Sequence, residues 1–419
     1  MNRVLQVSSV AVANLFGRSP LAKSCRPVQC LALVAAVLFT CDPRPLLAFT
    51  GFGTAFLVEN AGLPPKDIAV GDLNRDGAPD LITVDRGNSV LKVFLSDGRG
   101  NFSSANMRYY QAGTTNANQP TLADLNRDGA LDIVLPRTTG SAISVFMNLG
   151  NGTFANRVDY SCGIYVYQVA AADFNGDDFH DLAMAEFTSS TGGYNSVRIL
   201  LNNGNGTFRL GSLFQLTSRS GYDYNVFSTT VGDVNRDGRM DVAVNISDMR
   251  TIAILYGNGD GTLRTGVNIS VPDAPLKDIR LQDINKDGKF DLITAKASLN
   301  KITVGLGDGA GGFTFRDYSV GGTPVAFAVG DVNRDGIFDI VSSNQGSDTV
   351  TLLKGISGGT FDAGTSYSTG PSSDVKIQPA RIGLGDFNRD GQLDIATGNS
   401  YINNLNNTRS TGVSILIGR

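Results

Sequence analysis

The stretch DLNRDGAPD, residues 72–80, carries three aspartates and one asparagine at positions one, three, five and nine, and glycine at position six. Carboxylates this close together repel one another, so the cluster is costly unless a cation lies among them. Calcium fits because it accepts about six to eight oxygen ligands in a flexible geometry, and the glycine permits the sharp turn. The side chains of positions one, three and five can surround one point, and position seven can add its carbonyl. The stretch therefore predicts a calcium-binding loop.

The same nine-residue acidic loop occurs seven times. The copies span residues 72–80, 124–132, 173–181, 233–241, 283–291, 331–339 and 386–394. All seven keep Asp, Asn, Asp and Asp at positions one, three, five and nine, which predicts up to seven calcium ions. The predicted ligands are Asp72, Asn74, Asp76, Asp80, Asp124, Asn126, Asp128, Asp132, Asp173, Asn175, Asp177, Asp181, Asp233, Asn235, Asp237, Asp241, Asp283, Asn285, Asp287, Asp291, Asp331, Asn333, Asp335, Asp339, Asp386, Asn388, Asp390 and Asp394. In the third loop Asp178 replaces the glycine at a cost in backbone energy, so we expect that site to be the weakest.

Other interpretations of the loops are less well supported. A metal-free turn, in which Asp and Asn bond their own backbone, explains the NRDG core but not the aspartate at position nine. An EF-hand needs a glutamate at position twelve, where three of the loops have Thr83, Leu135 and Val244. No cluster of cysteine and histidine indicates zinc.

The segments around each loop indicate β-strands. Short runs rich in β-branched residues, such as KDIAVGD before the first loop and DLITVD within and after it, are bounded by turn residues. About 20 residues after six of the loops comes a glycine-rich hairpin, such as FMNLGNGTF (146–154) or LLNNGNGTF (200–208). Each repeat thus reads as four strands in about 50 residues, the size of one propeller blade.

The repeats predict an all-β, seven-bladed β-propeller of residues 49–419. The last repeat stops at SILIGR, where its hairpin would turn, and the segment GFGTAFLVEN (51–60) can supply the missing strand. We therefore expect the N-terminal strand to close the last blade. An open solenoid is the alternative, but it has no reason to complete its last unit with its first residues.

These repeats resemble FG-GAP repeats, known from the integrin α-subunit propeller and, with the VCBS-type variant, from many bacterial secreted proteins. The resemblance covers roughly residues 50 to 419 and rests on the D-x-[DN]-x-D-G-x-x-D loop. It implies a propeller with calcium between the first two strands of each blade. The family includes adhesion receptors, lectins and some polysaccharide-degrading enzymes, so the resemblance specifies the fold more closely than the activity.

Residues 1–48 are predicted to be a signal peptide, which implies a secreted protein. Four basic residues (Arg3, Arg18, Lys23 and Arg26) precede the apolar run LALVAAVLF (31–39), and Ala48 is a plausible cleavage point. An uncleaved anchor at the cell surface, or lipid attachment at Cys41, is the alternative. The run is short for a transmembrane helix, and none is expected in the mature chain.

Composition limits the function classes. Acidic residues outnumber basic ones 39 to 35 and no basic cluster stands out, so nucleic-acid binding is not expected. Cys162 is the one cysteine after the leader and is interpreted as a buried apolar residue. An enzyme is less well supported than a binding protein. The sole histidine, His180, lies inside the third acidic loop, and nothing in their spacing singles out the carboxylates of Glu186, Asp223 or Asp374.

Binding is the favoured function, with a glycan or an extracellular protein as partner and a monomer as the default. Acidic loops and glycine hairpins should share one face of the disc, and the long connections (186–196, 216–227, 368–380 and 400–412) the other. Long loops often carry function, and Tyr194, Tyr222, Tyr224 and Tyr401 are the candidate ligand-binding residues there. The alternatives are a carbohydrate-active enzyme, either a polysaccharide lyase or a glycosidase, and a structural scaffold in a surface assembly.

Overall fold

A computed structural model of the chain describes residues 49–58, 67–85, 89–113, 117–137, 142–162, 165–187, 196–216, 226–246, 251–271, 273, 275–371, 376–403 and 412–419. The predicted signal peptide, residues 1–48, and its boundary lie outside the described residues. Within the described ranges no helix is long and apolar enough to cross a bilayer. In the described part of the chain, two single-turn 3₁₀ helices, Ser104–Asn106 and Ala297–Leu299, interrupt an otherwise all-β fold.

The residues that the structure describes form thirty strands. In chain order they are β1 (Phe56–Val58), β2 (Asp67–Gly71), β3 (Asp80–Asp85), β4 (Val90–Phe94), β5 (Met107–Gln111), β6 (Thr121–Ala123), β7 (Asp132–Pro136), β8 (Ala142–Phe146), β9 (Val158–Ser161), β10 (Tyr165–Ala172), β11 (Asp181–Phe187), β12 (Ser196–Asn202), β13 (Phe208–Gln215), β14 (Val226–Gly232), β15 (Asp241–Ile246), β16 (Thr251–Gly257), β17 (Leu263–Ser270), β18 (Leu276–Gln282), β19 (Asp291–Lys296), β20 (Lys301–Gly307), β21 (Phe313–Ser319), β22 (Pro324–Gly330), β23 (Asp339–Asn344), β24 (Thr349–Leu353), β25 (Gly355–Ile356), β26 (Thr360–Phe361), β27 (Thr365–Ser368), β28 (Lys376–Gly385), β29 (Asp394–Asn403) and β30 (Val413–Leu416).

These strands make seven antiparallel sheets of four, as the sequence predicts. Blade I is β2–β5, blade II β6–β9, blade III β10–β13, blade IV β14–β17 and blade V β18–β21. Blade VI is β22, β23, β24 and β27, with β25 and β26 as a separate small hairpin, and blade VII is β28, β29, β30 and β1. The architecture is a seven-bladed β-propeller.

The hydrophobic core lies between neighbouring blades. The second strands β3, β19 and β23 are buried along their whole length, because each has a strand on both sides and a blade over both faces. One cluster joins Leu125 and Val134 of blade II to Leu182 and Leu200 of blade III. Outer strands such as β13 are largely exposed. Each blade is therefore stabilised mainly by its two neighbours.

The N-terminal strand closes the ring, which confirms that prediction. Strand β1 pairs with β30, with Phe56 opposite Ile415 and Val58 opposite Val413. The Gly53 N–H donates to the Ile417 carbonyl at 2.8 Å, and the Arg419 N–H donates to the Gly51 carbonyl at 2.9 Å. The inner strands of blades VII and I, β28 and β2, are in contact. The chain is a closed ring and not an open solenoid.

Strand order separates the connections into two faces. The acidic loop joins the first and second strands of each blade, and the glycine hairpin joins the third to the fourth, so both lie at one edge, here called the loop face. The other connections lie at the opposite edge, the connection face. Most of the long insertions (188–195, 217–225, 372–375 and 404–411) lie outside the described residues, but the strand ends next to them belong to the connection face.

Candidate functional site

The acidic loops fold their polar side chains inward onto their own backbone. In the first loop Asp72 Oδ2 accepts from the Gly77 N–H at 2.9 Å. Asp72 Oδ1 and Asn74 Oδ1 both accept from the Asp76 N–H, at 3.2 and 3.0 Å. Asp76 Oδ1 accepts from the Ala78 N–H at 2.8 Å. The other six loops repeat this pattern, so positions one, three and five converge in each.

Two left-handed residues shape each loop. The basic residue at position four has a φ of 56 to 61° in six loops, and Gly176 takes this place in the third. Position six is also left-handed, with φ of 80 to 86° for the six glycines and 68° for Asp178. Glycine adopts this conformation freely, whereas aspartate adopts it at a cost of about 1 kcal/mol. The third loop thus keeps the common fold with a less suitable residue.

The aspartate at position nine is fully buried and has a structural role. Asp80 Oδ2 accepts from the Leu73 N–H at 2.9 Å, and its Oδ1 accepts from the Ser96 N–H at 2.8 Å. The same two bonds, from position two and from the end of the third strand, occur in every blade. They tie the acidic loop to the glycine hairpin. This explains the ninth aspartate without a metal, which the sequence argument could not do.

Burial raises the pKa of the ninth aspartates, although the two N–H donors oppose the shift. The pKa rises to about 6 for Asp80, Asp132, Asp241 and Asp339, and to about 7 for Asp394. Neighbouring aspartates of the same loop add to the increase by repulsion. A bound cation would relieve that repulsion.

The donor set of each loop suits a hard cation. Positions one, three and five offer carboxylate and amide oxygens, which are the ligands that a hard cation prefers. In loop I two of them, Asp72 Oδ1 and Asn74 Oδ1, accept from the same N–H group and are therefore close together. Among the described residues, no group of three or more His, Cys, Asp or Glu side chains is arranged to hold a metal ion as it stands. The oxygen donors of the loops suit Ca²⁺, and calcium binding by the 28 predicted ligands stays a prediction.

In blades I to IV the glycine hairpin also bonds to the acidic loop of the preceding blade, a contact that sequence reasoning missed. The Asn148 side-chain amide donates to the Leu73 carbonyl of loop I at 2.8 Å, and Asn202 donates to the Leu125 carbonyl of loop II at 2.8 Å. In blade IV the Gly261 N–H donates to the Phe174 carbonyl at 2.9 Å. The asparagine at the start of the hairpin was a possible signal, but its partner is about 75 residues away.

The predicted ligand-binding tyrosines are mostly beyond the described ranges. Tyr194, Tyr222 and Tyr224 lie outside the described residues. The backbone of Tyr401 belongs to β29, but the position of its side chain is not described. Asp223 and Asp374 also lie outside. Their predicted roles stay predictions.

The remaining single residues are described. His180 is exposed, and Cys162 is buried, where burial raises the pKa of its thiol to about 11. Glu186 is fully buried and pairs with Arg198, whose Nε lies 2.6 Å from Glu186 Oε1. Burial raises the pKa of Glu186 against the opposing effect of Arg198. This buried ion pair links two strands of blade III. Because the Glu186 carboxylate is not accessible to a substrate, its geometry gives no support to glycoside chemistry.

Comparison with known proteins identifies the repeat. Residues 72–135, 186–244, 283–342 and 331–397 match the FG-GAP-like repeat and together cover more than half of the chain. The ring is similar to the structure of an Agrocybe aegerita lectin that recognises non-reducing terminal N-acetylglucosamine, with a TM-score of 0.50 and 18% identity over 71% of this chain and 79% of that chain.

A second similar structure is BBS1N in complex with ARL6DN, with a TM-score of 0.54 and 12% identity over 87% of this chain and 96% of that chain. At these identities the structural likeness shows the fold alone. No curated protein sequence matches this chain.

Proposed function

Because the chain belongs to the FG-GAP-like repeat family, we propose that it is a secreted binding module with Ca²⁺ in its acidic loops and a glycan or an extracellular protein on its connection face. The observation that supports this most is the difference between the two faces. The loop face repeats one internally bonded turn seven times, whereas the connection face consists of connections of unequal length. A regular face suits a structural role, and an irregular one suits recognition.

A glycan is the preferred ligand class. The long connections are rich in Tyr, Asn, Ser and Gly, which combine aromatic stacking with adaptable hydrogen bonding. The Agrocybe aegerita lectin, which has a similar fold, recognises a terminal sugar. Tyr194, Tyr222, Tyr224 and Tyr401 are the residues we expect to contact the ligand.

A glycan array probed with the full chain, with and without calcium, tests the ligand class. We expect binding that weakens after chelation as the ring loosens. Substituting each of the four tyrosines by alanine should weaken binding by about 1–3 kcal/mol at a true anchor. Tyr109→Ala is the matched control, since Tyr109 is 58% exposed on the outer strand of blade I and belongs to neither face. A control variant that loses binding while the four others keep it would contradict the proposed face.

Thermal unfolding tests the calcium sites separately. At free calcium 100 times the dissociation constant, one site stabilises the folded state by roughly 2.7 kcal/mol. We therefore expect a chelator to lower the melting temperature by many degrees when several sites are filled. An identical melting curve with chelator and with calcium would mean that the loops are metal-free turns.

A further inference from the structure

A basic side chain from the preceding blade lies against most of the acidic loops. Arg75 of loop I places Nη2 2.9 Å from Asp128 Oδ1 of loop II. Arg389 of loop VII places Nη2 2.6 Å from Asp76 Oδ1 of loop I and also bonds the Asp76 carbonyl. Both arginines occupy position four, and both aspartates occupy position five. The contact between loops VII and I runs across the ring closure.

The same arrangement continues around the ring. Arg127 of loop II lies 3.6 Å from the carboxylate of Asp178 in loop III. Lys286 of loop V bonds the Gly336 carbonyl of loop VI, and Arg334 of loop VI bonds the Asp390 carbonyl of loop VII at 3.5 Å. Five loops thus receive a cation from position four of the loop before. The substitution of Asp178 for glycine gives Arg127 an acidic partner.

The two remaining loops obtain a cation from their own blade. Loop III has Gly176 at position four and so offers loop IV no basic side chain. In loop IV Asp237 instead pairs with Arg264 of β17 at 3.2 Å, and Arg264 lies over the Tyr256 ring. In loop V Asp287 pairs with Lys289 at 3.4 Å. Every acidic loop therefore has a basic side chain bonded to position five or six, and in loops I, II, IV and V it pairs with the position-five carboxylate.

We infer that these basic side chains are built-in counter-ions that stabilise the acidic loops in the metal-free protein, in loops I, II, IV and V by pairing with the position-five carboxylate, and that they weaken calcium binding to the same loops. The inference rests on the proposed calcium sites. A guanidinium bonded to a carboxylate offsets the repulsion among the loop aspartates, and it repels a divalent ion that uses those aspartates. The counter-ion thus stabilises the metal-free loop but weakens calcium binding, so one substitution that removes it changes the two quantities in opposite directions. Removing the counter-ion should destabilise the metal-free ring and increase calcium affinity.

Arg389→Gln tests the inference, with Arg389→Lys as the charge-preserving variant. Arg99→Gln is the matched control, because Arg99 is an exposed arginine of the blade I hairpin on the same face. A triple variant, Arg75→Gln with Arg334→Gln and Arg389→Gln, amplifies the effect over three loops. Melting temperature is measured in chelator and in saturating calcium, and the calcium dissociation constants are measured by titration of the full chain.

We expect Arg389→Gln to melt about 1 °C lower in chelator, since the pair is partly exposed, and the triple variant to melt lower still. The dissociation constant of the affected site should fall about three- to ten-fold at low salt. Arg389→Lys should restore both values, and Arg99→Gln should change neither.

Equal losses of melting temperature with and without calcium, at unchanged calcium affinity, would overturn the inference and leave the arginines a purely structural role. If the wild-type chain shows no calcium response, the calcium sites of the proposed function fail. In that case a calcium response gained by the triple variant still supports the counter-ion role, and its absence overturns that role too.

Discussion

The aspartates at positions five and nine of each acidic loop are chemically identical and occupy different environments. Asp241 is fully buried and accepts from the Val234 and Gly257 N–H groups. Asp237, four residues earlier, is partly exposed and pairs with Arg264. Loss of Asp241 leaves two buried donors without an acceptor, each at a cost of about 1–3 kcal/mol, whereas loss of an exposed ion pair costs about 0.2–1 kcal/mol.

We therefore expect Asp241→Ala to lower the free energy of unfolding by about 2–6 kcal/mol in calcium-free buffer, and Asp237→Ala by less than about 1 kcal/mol. Calcium should widen the loss for both variants, because both residues are predicted ligands in loop IV. Urea unfolding of both variants, with and without calcium, measures these differences. Equal losses in calcium-free buffer would mean that the two main-chain bonds of Asp241 contribute little.

The raised pKa values of the ninth aspartates predict a pH dependence for the metal-free protein. Their ordinary pKa is 3.8, and in the folded ring it rises to about 6 for Asp80 and about 7 for Asp394. The folded state thus binds more protons than the unfolded chain between these values. Their contribution to stability is complete below about pH 4 and is lost as the pH rises through 6 to 7. In calcium-free buffer the melting temperature should fall from pH 5 to pH 7.5.

Calcium should reverse that trend, because protons and calcium compete for the same carboxylates. Melting curves between pH 5 and 7.5, recorded with and without calcium, test both signs. A metal-free melting temperature that increases with pH over this range would contradict the assigned burial effect.

At the scale of strands and turns, a glycine ends the third strand where it approaches the acidic loop. A Cβ added to Gly307 would lie 2.2 Å from the Phe290 carbonyl oxygen, and one added to Gly257 would lie 2.2 Å from the Met240 carbonyl oxygen. Both contacts involve backbone, so no side-chain rotation relieves them. Gly358, in the blade VI hairpin, has a φ of 83° but no atom within 4 Å of an added Cβ.

Gly307→Ala should therefore separate the hairpin from loop V and lower the free energy of unfolding by more than about 3 kcal/mol. Gly358→Ala is the control, with only the left-handed backbone cost of about 1 kcal/mol. Chemical denaturation of the two variants checks the difference. A Gly307→Ala protein as stable as the Gly358→Ala protein would show that the strand end can shift freely.

Much of this level of structure could be predicted from the sequence, because its signals are local. The β-branched run DLITVD and the hairpin GNGTF each carry their own pattern, and the seven-fold repetition fixes the blade count. Contacts between separate elements have no such signal. Arg75 reaches Asp128 in the next blade, and Arg137 and Lys296, both buried, pair with Asp159 and Asp317 on the outer strands. Arg75 and Asp128 become neighbours only after two blades have packed, and the other two pairs only after the strands of one blade have formed their sheet.

At the scale of the whole molecule, the ring depends on one strand that is distant in sequence. Strand β1 supplies the outer edge of blade VII, and residues 50–53 bond to residues 417–419. Deleting residues 50–62 removes this strand and leaves β30 as an unpaired edge, which favours aggregation. A chain that starts at Leu63 should be poorly soluble or should melt well below the chain that starts at Phe49.

A circular permutant provides the matched control. A chain that starts at Asp67 and carries residues 49–66 after Arg419 keeps every strand, and the closeness of Gly51 to Arg419 allows a short linker. We expect the permutant to remain monomeric and to melt near the parent. Size-exclusion chromatography and thermal unfolding compare the three chains. A truncated chain that equals the parent in both measurements would contradict closure by β1.

The pairing of Val58 with Val413 also has a consequence for synthesis of the chain. Of the described strands, β1 is synthesised first and β30 last. The blades between them can therefore fold in order while β1 remains unpaired. The final pairing must bring together segments about 355 residues apart, which makes it a slow step in folding. A nascent chain stalled before β30 therefore presents two open edges, and we expect this intermediate to aggregate more readily than the finished ring.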